Sequence, residues 1–155
     1  MKPIRSIAIA ALCLFLTACA NTLTQPSLEN DLNAAVQKLE MSEGGGLGNG
    51  ILRMNYVTRF SWENLYIFGP GSSGKQINRA LGFEWQEGGE RISDLKEGES
   101  LLVFTEGDEV VRYVHCKGKR GRFAERVKPL TPSNAVFQGV REKGRMTIRP
   151  VSSFE

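Results

Sequence analysis

Histidine is almost missing from this chain. His115 is the only one in 155 residues, and there are three cysteines, Cys13, Cys19 and Cys116. A Ser-His-Asp or Cys-His device needs a histidine poised beside its nucleophile. His115 has Cys116 as its neighbour, but successive residues of an extended run point to opposite faces, so adjacency does not pair them. So few cysteines and histidines also give no set with zinc-ligand spacing, and no metal or cofactor is expected. Carboxylates remain for acid–base work. Glu63, Glu84 and Asp94 are candidates, yet among 17 acidic residues nothing selects them. The expectation is a chain with no catalytic residue, not an enzyme. Long apolar runs are scarce too. The one near the N-terminus, Ile7 to Leu16, falls short of the roughly 20 residues a spanning helix needs.

That run has a specific setting. Lys2 and Arg5 precede it, Thr17 and Ala18 are small, and Cys19 follows. A basic start, an apolar core and small residues before a cleavage point make a secretory signal. The order Leu16-Thr17-Ala18-Cys19 resembles the lipobox of bacterial lipoproteins: a branched apolar residue, two small ones, then the cysteine that is modified. The resemblance implies cleavage before Cys19 and acylation of it, with roughly 0.8 kcal/mol of membrane binding per buried CH₂. Ala20 stands where an Asp commonly retains such proteins in the inner membrane, so the resemblance implies the outer membrane and a periplasm-facing chain. With Cys19 acylated, Cys116 has no intrachain partner. Its apolar surroundings, Val110, Val111, Tyr113 and Val114, indicate a buried inert thiol.

The chain divides into a signal at 1–18, a tether, short helix and glycine hinge at 19–50, and a domain at 51–155. Ser27 and the apolar spacing of Leu28, Leu32, Ala35, Val36 and Leu39 predict a helix over about 28–40. Its stripe is suited to docking on the domain, the membrane or a partner. Gly44, Gly45, Gly46, Gly48 and Gly50 break the periodicity. Alternation predicts a half-buried strand from Ile51 to Phe60, with Leu52, Met54, Tyr56 and Phe60 on one face. Asn64 to Phe68 reads as a buried strand. Ser72 to Leu81 reads as a helix closed by Gly82, Gly88-Gly89 as a turn, and Ser93 to Lys96 as one helical turn. Two hairpins are predicted, 100–105 with 109–116 and 135–140 with 146–151. Pro129 and Pro132 mark irregular chain between them. The fold class is α+β: an antiparallel sheet of about five or six strands with one or two packed helices.

Gly69-Pro70-Gly71-Ser72-Ser73-Gly74-Lys75 fits the spacing of a phosphate-binding loop between strand and helix. Gln76 stands where the Mg²⁺-binding hydroxyl belongs, and no alternating strand–helix units follow. A turn from strand to helix is the reading here, and no nucleotide is expected. The stretch from Trp62-Glu63 through Tyr66-Ile67-Phe68 to Pro70, then Ile77, Leu81-Gly82 and Trp85, resembles a pattern in small exported or lipid-anchored bacterial proteins of undefined function. Gly71 replaces the usual aromatic after the proline. That resemblance implies a shared fold and no activity, and Trp62, Tyr66, Phe68 and Trp85 read as core rather than as a stacking platform.

Charge is uneven. Acids crowd Glu84 to Glu109, and bases dominate Arg112 to Arg149, densest at Lys117, Lys119, Arg120 and Arg122. Either the two halves neutralise each other across the fold, or the basic part meets an anionic partner. Two functions follow as expectations. One is a lipoprotein held in the outer membrane by Cys19, whose non-catalytic periplasmic domain engages another envelope protein. The other binds an anionic envelope polymer or lipid headgroup through the four basic residues. The envelope compartment excludes nucleic acid.

Overall fold

The computed structural model describes residues 27–42 and 50–152. The signal, Cys19, the polar tether and Gly44 to Gly48 lie outside the described residues. Eight strands and four helices occur among them: α1 (Leu28–Ser42), β1 (Ile51–Arg53), α2 (Met54–Val57), β2 (Asn64–Phe68), α3 (Gly74–Leu81), α4 (Gly88–Ser93), β3 (Ser100–Glu106), β4 (Glu109–Cys116), β5 (Arg122–Phe123), β6 (Arg126–Leu130), β7 (Val136–Glu142) and β8 (Arg145–Pro150).

The class is α+β. The strands divide between two four-stranded sheets, β1-β7-β8-β5 and β4-β3-β2-β6, where the sequence suggested a single sheet. Every pairing is antiparallel except β5 with β8. The chain crosses from the second sheet to the first between β6 and β7. There Thr131 N–H donates to Asn134 Oδ1 at 2.6 Å, and Ala135 N–H closes back to the Thr131 carbonyl at 2.9 Å.

The second sheet is the middle layer, which explains its continuous apolar strands. On one face Leu65, Ile67, Leu102 and Phe104 join Leu52, Phe123, Phe137 and Ile148 of the first sheet. On the other, Tyr66, Phe68, Leu101 and Val103 are covered by Ile77 and Leu81 of α3, Ile92 of α4, and Leu95. Trp62 and Tyr66 are buried and Trp85 is half-buried, as core residues should be. Although glycines separate α1 in sequence, its Leu28, Leu32, Val36 and Leu39 are buried in the first cluster. α1 thus packs into the same apolar cluster as the strands of both sheets.

Three local expectations are corrected. The strand expected from Ile51 to Phe60 ends at Arg53. Met54 N–H leaves the β7 ladder for the Ala135 carbonyl at 2.9 Å, and Thr58 N–H closes a helical turn on the Met54 carbonyl at 3.0 Å. Leu52 and Met54 stay on the buried face, while the turn throws Tyr56 outward, 81% exposed. Gly88 and Gly89 open α4 rather than forming a turn, and α4 ends at Ser93. Gly88 and, on α3, Gly74 are needed for closeness: a Cβ on Gly88 would lie 2.8 Å from the Trp85 ring, and one on Gly74 would lie 2.9 Å from Gly89 Cα. Pro129 sits inside β6, not in irregular chain. β6 is an edge strand and pairs with β2 only through Leu65–Leu130 and Ile67–Arg126, so a missing N–H is tolerated there.

Candidate anion-binding groove

Four constraints build one end of the molecule. β4 ends at Cys116, and the chain turns at Gly118, whose φ is +63°. A Cβ at Gly118 would collide with the Gly98 carbonyl. The loop then passes over β8, where a Cβ on Gly121 would lie 2.7 Å from Met146 Cε. It is tied down as β5 by pairing Arg122–Thr147 and Phe123–Ile148. Opposite it, β7 and β8 meet in a two-residue turn with Lys143 at φ +49° and Gly144 at φ +79°. Both positive values define the type I′ turn, whose twist suits a hairpin.

Between loop and hairpin lies a groove of about 1120 Å³. Lys117, Lys119, Arg120 and Arg122 all line it, so the fold gathers the four residues that the sequence singled out. It adds Arg141, Lys143 and Arg145, and the acids are Glu40, Glu97 and Glu142, giving seven bases against three acids. The three added bases were visible as part of the basic half but not as members of one site. Glu40 had no sequence signal, since it lies on α1, 80 residues before Arg120.

The basic half is not neutralised here by the acidic run. Arg120 pairs with Glu40 at 3.2 Å, Arg141 lies 3.9 Å from the same carboxylate, and Arg149 pairs with Glu142 at 2.6 Å. Lys117, Lys119, Arg122, Lys143 and Arg145 make no ion pair among the described residues. Next to the groove, the turn before β3 and the end of β4 are braced together. Glu99 accepts from Lys96 N–H at 2.8 Å and from His115 Nε2 at 2.7 Å. Those bonds, the Lys96 one first, hold its carboxyl below the ordinary carboxylate value. Cys116 is free and buried; burial, with the charge of Glu29 second, pushes its thiol up to about 12.

The phosphate-loop spacing resolves into a cap. Ser73 Oγ accepts from Gln76 N–H at 3.3 Å, and Gln76 Oε1 accepts from Ser73 N–H at 2.8 Å. The two residues thus close a capping box, which engages the Ser73 and Gln76 N–H donors at the start of α3. Glu125 fills the loop from the other side: Ser72 Oγ donates to its Oε1 at 2.9 Å, and its Oε2 lies 3.1 Å from where a Gly69 Cβ would be. A carboxylate at that place repels another anion. Glu63 is engaged by Gly107 N–H at 3.0 Å, and Glu84 and Asp94 are exposed. No cluster of three or more metal-ligating side chains occurs among the described residues.

No family model, curated protein or solved structure matches this chain.

Proposed function

We propose that this chain is an outer-membrane lipoprotein, anchored at Cys19, whose periplasmic domain binds an anionic envelope polymer or lipid headgroup in the basic groove and catalyses nothing. The groove carries the reading. Seven bases converge on it, and five of them make no ion pair among the described residues. Crowded like charges cost stability unless a partner neutralises them. The lipobox supports the anchor, and the eight residue-to-residue steps from Cys19 to Ser27 span at most about 29 Å, which keeps the domain near its membrane.

Co-sedimentation of the full chain with phosphatidylcholine vesicles, with and without phosphatidylglycerol, tests the groove. Binding is expected only with the anionic lipid. It should weaken in 0.5 M salt, because screening shortens to a few ångströms, and fall in Lys117→Gln/Lys119→Gln/Arg122→Gln. Salt-insensitive binding, or none, removes the reading. Intact mass tests the anchor: mature protein beginning at an unmodified Cys19 removes it.

A second reading, engagement of another envelope protein, is favoured by Tyr56. Tyr56 is 81% exposed and Ile51 is exposed too, and both line a smaller groove of about 470 Å³ between α1 and the β1–α2 segment. Exposed tyrosines of this kind anchor protein interfaces. Cross-linking in intact cells that captures one envelope protein with wild type, but not with Tyr56→Ala, would support it.

A further inference from the structure

Two arginines of the groove already hold an anion. Glu40, near the end of α1, offers one carboxylate oxygen to each: Oε2 lies 3.2 Å from Arg120 Nη1, and Oε1 lies 3.9 Å from Arg141 Nη2. Guanidinium groups that share one carboxylate are spaced to share one phosphate, whose tetrahedral oxygens offer the same directions and more. The three side chains are 32%, 52% and 53% exposed for Glu40, Arg120 and Arg141, so the place is reachable without opening the core. Lys143 and Arg145 stand along the same groove and make no ion pair among the described residues. A carboxylate brings one negative charge, whereas a phosphate monoester brings about 1.5 to 2. In a groove with this excess of bases, the phosphate is the stronger occupant.

We infer that Arg120 and Arg141 form a phosphate subsite, that Glu40 occupies it as an internal stand-in while the groove is empty, and that the ligand carries phosphate groups able to displace it. This rests on the anion-binding groove proposed above and adds a ligand class and a competitor. It also couples the groove to α1. Glu40 ties the end of the helix to the loop and to β7, while Leu28, Leu32, Val36 and Leu39 hold its apolar stripe. Phosphate in the subsite removes the tie and leaves the stripe packed, so the last turn of α1 loosens and the helix stays. The coupling is reciprocal: loosening Glu40 strengthens ligand binding.

The test is calorimetric titration of the full chain, in nonionic detergent, with inorganic tripolyphosphate. Wild type is compared with Glu40→Gln, Arg120→Gln, Arg141→Gln, and Arg79→Gln on the exposed side of α3. Glu40→Gln is expected to bind roughly two- to fivefold tighter, the range set by release of one exposed ion pair. Either groove arginine variant should bind at least as much weaker, and Arg79→Gln should match wild type. Tricarballylate, a tricarboxylate, should bind more weakly than tripolyphosphate; equal binding overturns the phosphate class. Phosphatidic acid in phosphatidylcholine vesicles identifies the source. Vesicle binding strengthened by Glu40→Gln assigns a lipid headgroup, and binding of the soluble anion alone assigns free or polymer-borne phosphate; either supports the subsite. If Glu40→Gln binds no tighter while the arginine variants still lose affinity, the stand-in is overturned and the anionic groove survives. If neither wild type nor any variant binds any anion or anionic vesicle, the groove reading falls and the subsite with it. Glu40→Asp, which draws the carboxylate back by one methylene, replaces Glu40→Gln if that variant folds poorly, with tighter binding again expected.

Discussion

His115 Nε2 stands 2.7 Å from Glu99 Oε2, and the same oxygen receives the Lys96 backbone N–H at 2.8 Å. One carboxylate therefore closes the turn before β3 and braces the end of β4, from which the basic loop departs. These bonds favour the ionised form, so the folded carboxyl lies below its ordinary value of 4.5. The sign follows: the contribution is complete above the unfolded value and is lost as pH falls through the folded one. Urea unfolding of wild type and Glu99→Gln should differ by about 1 kcal/mol at pH 7, and the gap should close as pH falls below the ordinary carboxylate value of 4.5. A gap that stays constant with pH would show that the charge of Glu99 adds nothing.

Cys116 should be chemically silent in the folded protein. The thiolate is the reacting species, and a thiol raised from 9.0 to about 12 by burial has on the order of a thousandfold less of it at neutral pH. Iodoacetamide treatment followed by mass analysis of the Cys116 peptide should show labelling only after denaturation. Rapid labelling of folded protein would mean that α1, whose Leu32 and Val36 share the core with Cys116, lifts from the end of β4.

Two glycines separate backbone strain from collision. Gly118 and Gly144 both have positive φ, but only Gly118 faces an atom, the Gly98 carbonyl, where a Cβ would go; Gly144 faces open space. Gly144→Ala is expected to cost about 1 kcal/mol from the left-handed conformation alone. Gly118→Ala adds the clash, costs about 2 kcal/mol or more, and displaces the loop that carries Lys117 to Arg122. Thermal melts should rank the two in that order, and vesicle binding should fall only for Gly118→Ala.

The helix over the second sheet offers a prediction against its own motif. Ser73→Ala removes one half of the capping box and should lower stability by about 1 kcal/mol. Lys75→Ala, at the invariant position of a phosphate loop, should leave stability within about 0.5 kcal/mol. Titration of wild type with a nucleoside triphosphate and Mg²⁺ should give no heat assignable to this loop, with Lys75→Ala behaving identically. A loss confined to Lys75→Ala would restore the loop as a phosphate site.

The elements read most directly from the sequence are those whose instructions are local. Ser73, Gln76 and Gly82 bound α3 within ten residues of each other, and Gly107 and Gly144 sit in the hairpins that they close. What escaped was set by distant partners. Leu52, Met54 and Tyr56 alternate like a strand, yet Met54 N–H bonds the Ala135 carbonyl and the ladder ends there. The division into two sheets escaped because β1 joins β7, and β5 joins β8, across long intervals of sequence. The site shows the same division. Lys117, Lys119, Arg120 and Arg122 are one run and were visible as a cluster. Arg141, Lys143 and Arg145 join them through the β7–β8 turn and the parallel β5–β8 pairing, and Glu40 arrives on a helix that precedes the whole domain in sequence.

Groove cations held for a ligand should be a burden to the empty fold. Lys119 and Arg145 make no ion pair among the described residues and stand in a groove lined by more bases than acids. Replacing either by glutamine should raise stability by roughly 0.5 kcal/mol at low ionic strength, the scale of one exposed charge interaction. The gain should vanish in 0.5 M salt, where screening removes the repulsion. The same replacements should weaken binding to anionic vesicles. Opposite signs in stability and binding mark residues kept for function at a cost to the fold. Chemical denaturation in urea, which adds no ionic strength, measures the first, and co-sedimentation measures the second. If Lys119→Gln and Arg145→Gln both lower stability at low salt, those side chains are structural, and the surplus charge of the groove is already balanced within the protein.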